Sequence, residues 1–127
     1  DLKDAPDTCN KMSVAQEPQY IEFIKDIVNK SDISKHYEFV ASDHRKLEVT
    51  KKGVNKGNAL NQLMDHLCIN KDEVIVFGDS ENDISMFIDK PYCVAMSNSL
   101  ITTKEKANYL TDGNNDEGIY HLLSNVH

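Results

Sequence analysis

The sequence predicts two pieces of different construction: an antiparallel α+β piece over residues 1–50 and a parallel α/β piece over residues 51–127. Three observations carry this reading. Tyr37, Phe39 and Ala41 alternate with their neighbours, as do Leu47 and Val49, on either side of a polar Ser42-Asp43-His44-Arg45 turn. That is a hairpin with one buried face. Val74 to Phe77 is instead a continuous apolar run into Gly78-Asp79, as expected of a buried parallel strand whose carboxyl end reaches the surface. From residue 51 onward helical and strand patterns alternate, the mark of parallel α/β construction.

Taken in order, residues 1–10 are polar and contain a proline, which predicts a loop, and Lys11 to Ala15 reads as a short strand. Pro18 suits the first turn of a helix. Tyr20, Ile21, Phe23, Ile24, Ile27 and Val28 then recur at helical spacing, so 18–30 is an amphipathic helix. The hairpin follows. Lys51 to Gly57 is a turn-rich basic linker. Leu60, Leu63, Met64 and Leu67 form the apolar stripe of a helix over 58–68, with Asn70 as the stop. After the strand at 74–77 come a helix from Asn82 to Ile88, a strand from Tyr92 to Met96, and a polar helix at 99–107 capped by Ser97-Asn98-Ser99. An edge strand at 108–110, a loop from Thr111 to Asp116 and a closing helix at 117–124 complete the chain. The strands at 74–77 and 92–96 should be adjacent, parallel and buried.

Hydrophobic content of 39% with 28% charged residues describes a soluble globular protein of 127 residues. A net charge of −7 argues against general nucleic-acid or anionic-membrane binding, but a small phosphate ligand needs only local positive charge. No apolar run reaches the length of a membrane span, and the first seven residues are no signal peptide. Three cysteines, Cys9, Cys68 and Cys93, an odd number with no CxxC, argue against a disulfide framework and make a reducing, cytoplasmic setting the default. Cys68 and Cys93 sit in apolar patterns and read as core thiols.

The chemistry gathers in Gly78-Asp79-Ser80-Glu81-Asn82-Asp83. Open α/β sheets bind ligands at the carboxyl ends of their strands. Asp79 stands at such an end, and Asp83 follows a tight turn near a helix start, so both carboxylates can approach one hard cation. Mg²⁺ takes one or two carboxylates and leaves its other positions to water and substrate phosphate. Asn82 can donate its amide to a phosphate oxygen beside a helix N-terminus. Lys56, just before another helix, offers a compact ammonium as a phosphate clamp. Taken singly, each has a plainer reading: Asp79 or Asn82 as a cap, Lys56 as a solvated lysine in a basic turn.

The order and spacing of several segments resemble the C-terminal part of a haloacid dehalogenase superfamily phosphatase, of the Cof type with a large α/β cap. The segments are Lys46-Leu47-Glu48-Val49, Gly53-Val54-Asn55-Lys56-Gly57-Asn58-Ala59-Leu60, Val76 to Met86, Val94-Ala95-Met96-Ser97-Asn98, Ala107 to Thr111, and Asp116-Glu117-Gly118-Ile119. The resemblance implies half of a Rossmann-like parallel-sheet core over 51–127 and the end of an α+β cap, the part that shapes substrate choice, over 1–50. It implies Mg²⁺-dependent hydrolysis of small phosphomonoesters, such as sugar or cofactor phosphates, through an aspartyl-phosphate. Lys56 would steady the phosphoryl group and the nucleophile, and Asp79 would ligate Mg²⁺. Asp83 would support the metal or its water, and Asn82 would contact the phosphate.

One part of the family's pattern is missing. Its nucleophile lies in an Asp-x-Asp motif on the first core strand, and no Asp-x-Asp occurs in these 127 residues. The Ser/Thr motif that precedes the cap is absent too. The chain therefore reads as a C-terminal piece, inactive alone, whose partners are a small phosphorylated metabolite and either the missing N-terminal core segment or a second copy covering an open sheet edge. No nucleic-acid or membrane partner is expected. Two other readings stand beside this one: a phosphorylation-domain fragment of a cation-pump ATPase, which carries a similar GDxxND turn, and a non-catalytic remnant that binds a partner or nothing.

Overall fold

A computed structural model describes residues 8–125, so most of the loop expected over 1–10 lies outside the described residues. The chain divides into two compact units, Asp1–Val54 and Asn55–His127.

The first unit is a three-stranded antiparallel sheet with one long helix. Strands β1 (Met12–Ala15), β2 (Tyr37–Asp43) and β3 (Lys46–Lys51) pair in the order β1-β3-β2. Leu47 lies opposite Val14 in β1 and Ala41 in β2, and Val49 opposite Met12 and Phe39. The pairing thus brings the alternating apolar positions onto one face. A register shift between Ala41 and Asp43 closes the expected hairpin. Helix α1 runs from Pro18 to Asn29 with proline in its first turn, where no backbone N–H is needed. Ile21 and Val28 are buried, as are Ala41, Leu47 and Val49. The predicted apolar stripe is wider than the buried one, because Tyr20, Phe23 and Ile27 remain at least half exposed.

The second unit is built on a parallel sheet. Strands β4 (Ile75–Gly78), β5 (Tyr92–Met96) and β6 (Tyr109–Thr111) pair in sequence order. Gly78 lies opposite Ala95, and Ala95 opposite Leu110, so the carboxyl ends of all three strands open at one edge. The expected adjacency and parallel direction of β4 and β5 hold, but the expected burial holds only for β5. Cys93 to Met96 are buried, whereas in β4 Val76 and Gly78 are buried while Ile75 is exposed. An outer strand of the described sheet keeps alternate side chains in the core and lends the rest to the surface.

Helix α2 (Lys56–Leu67) begins two residues earlier than its apolar stripe suggests, because Asn55 caps it by accepting the backbone N–H of Asn58 at 2.8 Å. It stops at Cys68, in the left-handed conformation at φ 55°, before the expected stop at Asn70. The Cys68 N–H bonds to the Asp65 carbonyl and the Ile69 N–H to that of Met64. This is a Schellman closure made without its usual glycine. Cys68 is accordingly exposed rather than a core thiol, while Cys93 is buried as expected. The helix foreseen at 82–88 shortens to a 3₁₀ turn at Glu81–Asp83 followed by α3 (Ile84–Phe87). The polar helix foreseen at 99–107 shortens to α4 (Ile101–Lys104), and the chain closes with α5 (Gly118–Ser124). Val76, Phe87 and Cys93 form a core cluster, with Leu60, Val74, Met86 and Ala107 packed against it. Among the described residues no helix is long and apolar enough to cross a membrane.

Candidate functional site

The close approach of two elements builds the site. Gly57, in the first turn of α2, lies against α3, and a Cβ there would stand 2.0 Å from the Ser85 carbonyl oxygen. Only glycine permits this contact. Its N–H donates to the Ser85 hydroxyl at 3.0 Å, which pins the start of α2 to the segment after β4. Lys56, one residue earlier, is thereby carried to Asp83, and its ammonium donates to Asp83 Oδ1.

Asp83 is the best-satisfied group in the site. Its side chain is 7% exposed, against 51% for Lys56. Its second oxygen, Oδ2, accepts the backbone N–H groups of Asp79 at 3.0 Å and Ser80 at 3.2 Å. Burial pushes its pKa up, but the hydrogen bond and charge of Lys56 and the two backbone donors outweigh burial and hold the carboxyl below its ordinary range. A buried carboxylate with both oxygens engaged ties the strand end, the turn and α2 together.

Asp79 is placed differently. It follows the last residue of β4, is half-buried, and lines a cleft of about 180 Å³ with Phe77, Gly78, Asp83, Met96, Asn114 and Ile119. Among the described residues no ammonium pairs with it. The Ser80 hydroxyl lies 3.0 Å from its Oδ1, and Asn114 Nδ2 donates to its Oδ2 at 2.8 Å. The Leu100 N–H bonds its backbone carbonyl at 3.1 Å. Asn82 stands beside this pair, with its Oδ1 2.9 Å from the Ser80 hydroxyl. That contact engages the amide oxygen and leaves the nitrogen as the end suited to donate to a ligand. The helix N-terminus expected to help Asn82 is a four-residue helix, too short to sum much dipole.

All four residues singled out from sequence thus fall in the second unit, around the carboxyl end of β4. Both carboxylates line the same cleft: the oxygens of Asp83 are held by Lys56 and backbone N–H groups, while those of Asp79 meet the neutral side chains of Ser80 and Asn114. The donor set suits a hard ion that needs a single carboxylate and takes its remaining oxygens from water and ligand. Among the described residues no three His, Cys, Asp or Glu side chains cluster as a metal cage. Sequence reading missed Asn114. The signal for it was positional: the loop after β6 also leaves the carboxyl edge of the sheet, where ligands gather in such folds.

The sequence model of haloacid dehalogenase-like hydrolases matches residues 1–123. The chain belongs to this family. It is 36% identical over 86 residues to the 5-amino-6-(5-phospho-D-ribitylamino)uracil phosphatase YcsE of Bacillus subtilis, covering 68% of this chain and 34% of that one. Among solved structures, the SMU.1108c protein of Streptococcus mutans superposes with a TM-score of 0.88 at 26% identity, over 98% of this chain and 47% of that one. The sugar phosphatase BT4131, of haloacid dehalogenase subclass IIB, superposes with a TM-score of 0.74 at 25% identity, over 90% of this chain and 41% of that one. The chain spans less than half the length of each of these relatives.

Proposed function

We propose that this haloacid dehalogenase-like chain forms the metal- and phosphate-holding half of a Mg²⁺-dependent phosphatase acting on small phosphomonoesters such as sugar or cofactor phosphates. The observation that carries the reading is the division of labour at the end of β4. Asp83 is neutralised by Lys56, while Asp79 faces the cleft without an ammonium partner among the described residues. Asp79 would hold Mg²⁺, and Asp83 would fix the turn and aim Lys56. Bound there, the ion would supply charge stabilisation to phosphoryl oxygens.

Lys56 is half exposed and keeps N–H donors beyond the one given to Asp83, so it can meet a phosphoryl oxygen while staying anchored. Asn82 adds a neutral donor. The attacking carboxylate of an aspartyl-phosphate reaction has no counterpart in an Asp-x-Asp motif here. On this reading it comes from a separate core segment, which, like a second copy, would also cover the outer edge of β4. The first unit is then the end of a substrate-selecting cap. The named phosphatases among the relatives favour this reading over a pump phosphorylation domain.

The test begins with the gene upstream of Asp1. An apolar strand running into Asp-x-Asp is expected there, and the extended chain should hydrolyse an aryl phosphate with Mg²⁺. Asp79→Asn keeps the shape and removes the charge, so turnover of the extended chain should fall by about a hundredfold or more. The 127 residues alone should show none. Robust turnover by the 127 residues, abolished by Asp79→Asn, would mean that they contain a nucleophile of another kind. Undiminished turnover of the extended Asp79→Asn chain would remove Asp79 from the site.

A further inference from the structure

We propose that Asn114 is a positioning residue for Asp79, setting the carboxylate that receives the cation while leaving its charge intact. The inference rests on the assignment of Asp79 as the metal-holding group. Asn114 lies in the loop after β6, 35 residues from Asp79, and reaches it with one side-chain hydrogen bond of 2.8 Å. A carboxylate only accepts, so the nitrogen end of the amide must face it.

That reach is built into the loop. The Asn114 N–H donates to Asn98 Oδ1 at 2.9 Å, which fixes the loop to the segment after β5. A 3₁₀ turn over Asn114–Asp116 is closed by the Asp116 and Gly118 N–H groups, both bonding to the Gly113 carbonyl. Gly118 sits so close to the chain that a Cβ would come within 2.1 Å of the Asp112 carbonyl oxygen. The Thr111 hydroxyl donates to the Gly118 carbonyl at 2.7 Å. Strand end, turn and α5 are therefore locked together, and they present at the cleft the Asn114 amide beside the apolar Ile119.

The chemistry of the donor distinguishes it from Lys56. An ammonium would orient Asp79 and also cancel its charge, competing with any cation. A neutral amide orients without cancelling. The Ser80 hydroxyl cannot do this alone. Its single proton is shared among Asp79 Oδ1, Asn82 Oδ1 and Asp83 Oδ2, at 3.0, 2.9 and 3.4 Å. Asn114 is the donor committed to Asp79. Outer partners of this kind typically change metal affinity by about 10- to 100-fold when removed.

The experiment is direct Mn²⁺ binding to the chain, followed by the loss of the free-ion electron paramagnetic resonance signal, with Mn²⁺ standing in for Mg²⁺. Asn114→Ala and the near-isosteric Asn114→Leu are compared with the parent and with Asp79→Asn, and thermal midpoints are recorded alongside. The parent should bind and Asp79→Asn should not. Both Asn114 variants should bind about 10- to 100-fold more weakly at a nearly unchanged midpoint, because the side chain is exposed. Asn114 variants that bind within twofold of a binding parent would overturn the role of Asn114 alone. Binding retained in Asp79→Asn, or a parent that does not bind, would overturn the assignment of Asp79 and this inference with it.

Discussion

The first unit keeps most of its charged side chains in water, with Glu48 partly covered, whereas the second buries charge beneath the ends of a parallel sheet. In the first, Lys11 and Lys46 flank Glu48 at 3.1 and 3.6 Å, and Lys30 meets Asp26 one helical turn away with both side chains more than half exposed. The polar residues buried as a whole, Asp83, Lys90, Ser99 and Thr103 among the described residues, all lie in the second. The difference follows from construction. An antiparallel sheet with one solvated face can put every charge in water. Parallel strands deliver their connecting loops to one edge, where polar groups crowd and some must be buried. Burying a carboxylate is unfavourable unless partners are supplied. Asp83 has Lys56, the N–H groups of Asp79 and Ser80, and a share of the Ser80 hydroxyl.

The comparison predicts unequal costs for removing a carboxylate. Asp83→Ala strands two backbone donors beneath the surface and leaves Lys56 without its anchor. It should cost about 2–3 kcal/mol. Glu48→Ala removes two surface ion pairs and should cost under about 1 kcal/mol. Thermal unfolding followed by circular dichroism reads both. Equal losses would show that the burial of Asp83 adds nothing.

Gly57→Ala tests the contact that aims Lys56. The new methyl has no room against the Ser85 carbonyl, so α2 must shift, at a cost of roughly 1–3 kcal/mol. The shift should also loosen the Lys56–Asp83 pair. A crystal structure of the variant with α2 in place and the pair intact would separate the glycine from the site.

Acid should act on the second unit first. The folded pKa of Asp83 is depressed, so its contribution is fully present above the unfolded value, near pH 4, and fades as pH falls below it through the folded value. Glu48 is depressed as well: burial pushes its pKa up, and Lys11 and Lys46 bring it below its ordinary range. Its partners are solvated, and its share is smaller. Stability measured from pH 6 to pH 3 should fall less steeply in Asp83→Asn than in the parent, and nearly as steeply in Glu48→Gln. The reverse order would mean that the surface cluster carries the acid sensitivity.

How legible this was depended on how local the determinants are. The hairpin was read from its alternation and the parallel pairing of β4 with β5 from apolar runs, because strand periodicity reports directly on which faces are buried. Asp79, Asn82 and Asp83 share one turn and could be read together. The place of Lys56 before a helix marks it only as a candidate clamp, and its pairing with Asp83 is not legible, since what carries it there is a glycine contact between elements 28 residues apart. Asn114 was passed over as part of a polar loop. Nothing near it in sequence shows that parallel strand ends bring it beside Asp79. The short helices after β4 and β5 were overextended, because a polar stretch following a cap gives no signal of where packing stops.

The smallest effect probes a part of the second unit that touches no buried charge. Cys68 ends α2 at φ 55°, a conformation that costs an ordinary L-residue about 1–2 kcal/mol. Glycine avoids that cost and gives back part of the gain through its greater freedom in the unfolded chain, about 0.5–1 kcal/mol. The bonds that close the helix run from backbone to backbone, from the Cys68 and Ile69 N–H groups to the Asp65 and Met64 carbonyls, so glycine keeps them. The thiol is exposed, and losing it opens no cavity. Cys68→Gly should therefore stabilise the chain by about 0.5–1 kcal/mol, a rise of roughly 3 °C in thermal midpoint. The gain comes from backbone conformation and should be the same at pH 4 as at pH 7, unlike any change at Asp83. A gain that disappears in acid would tie this helix end to the charged turn. A loss of stability would mean that the Cys68 side chain makes a packing contribution larger than the strain it carries.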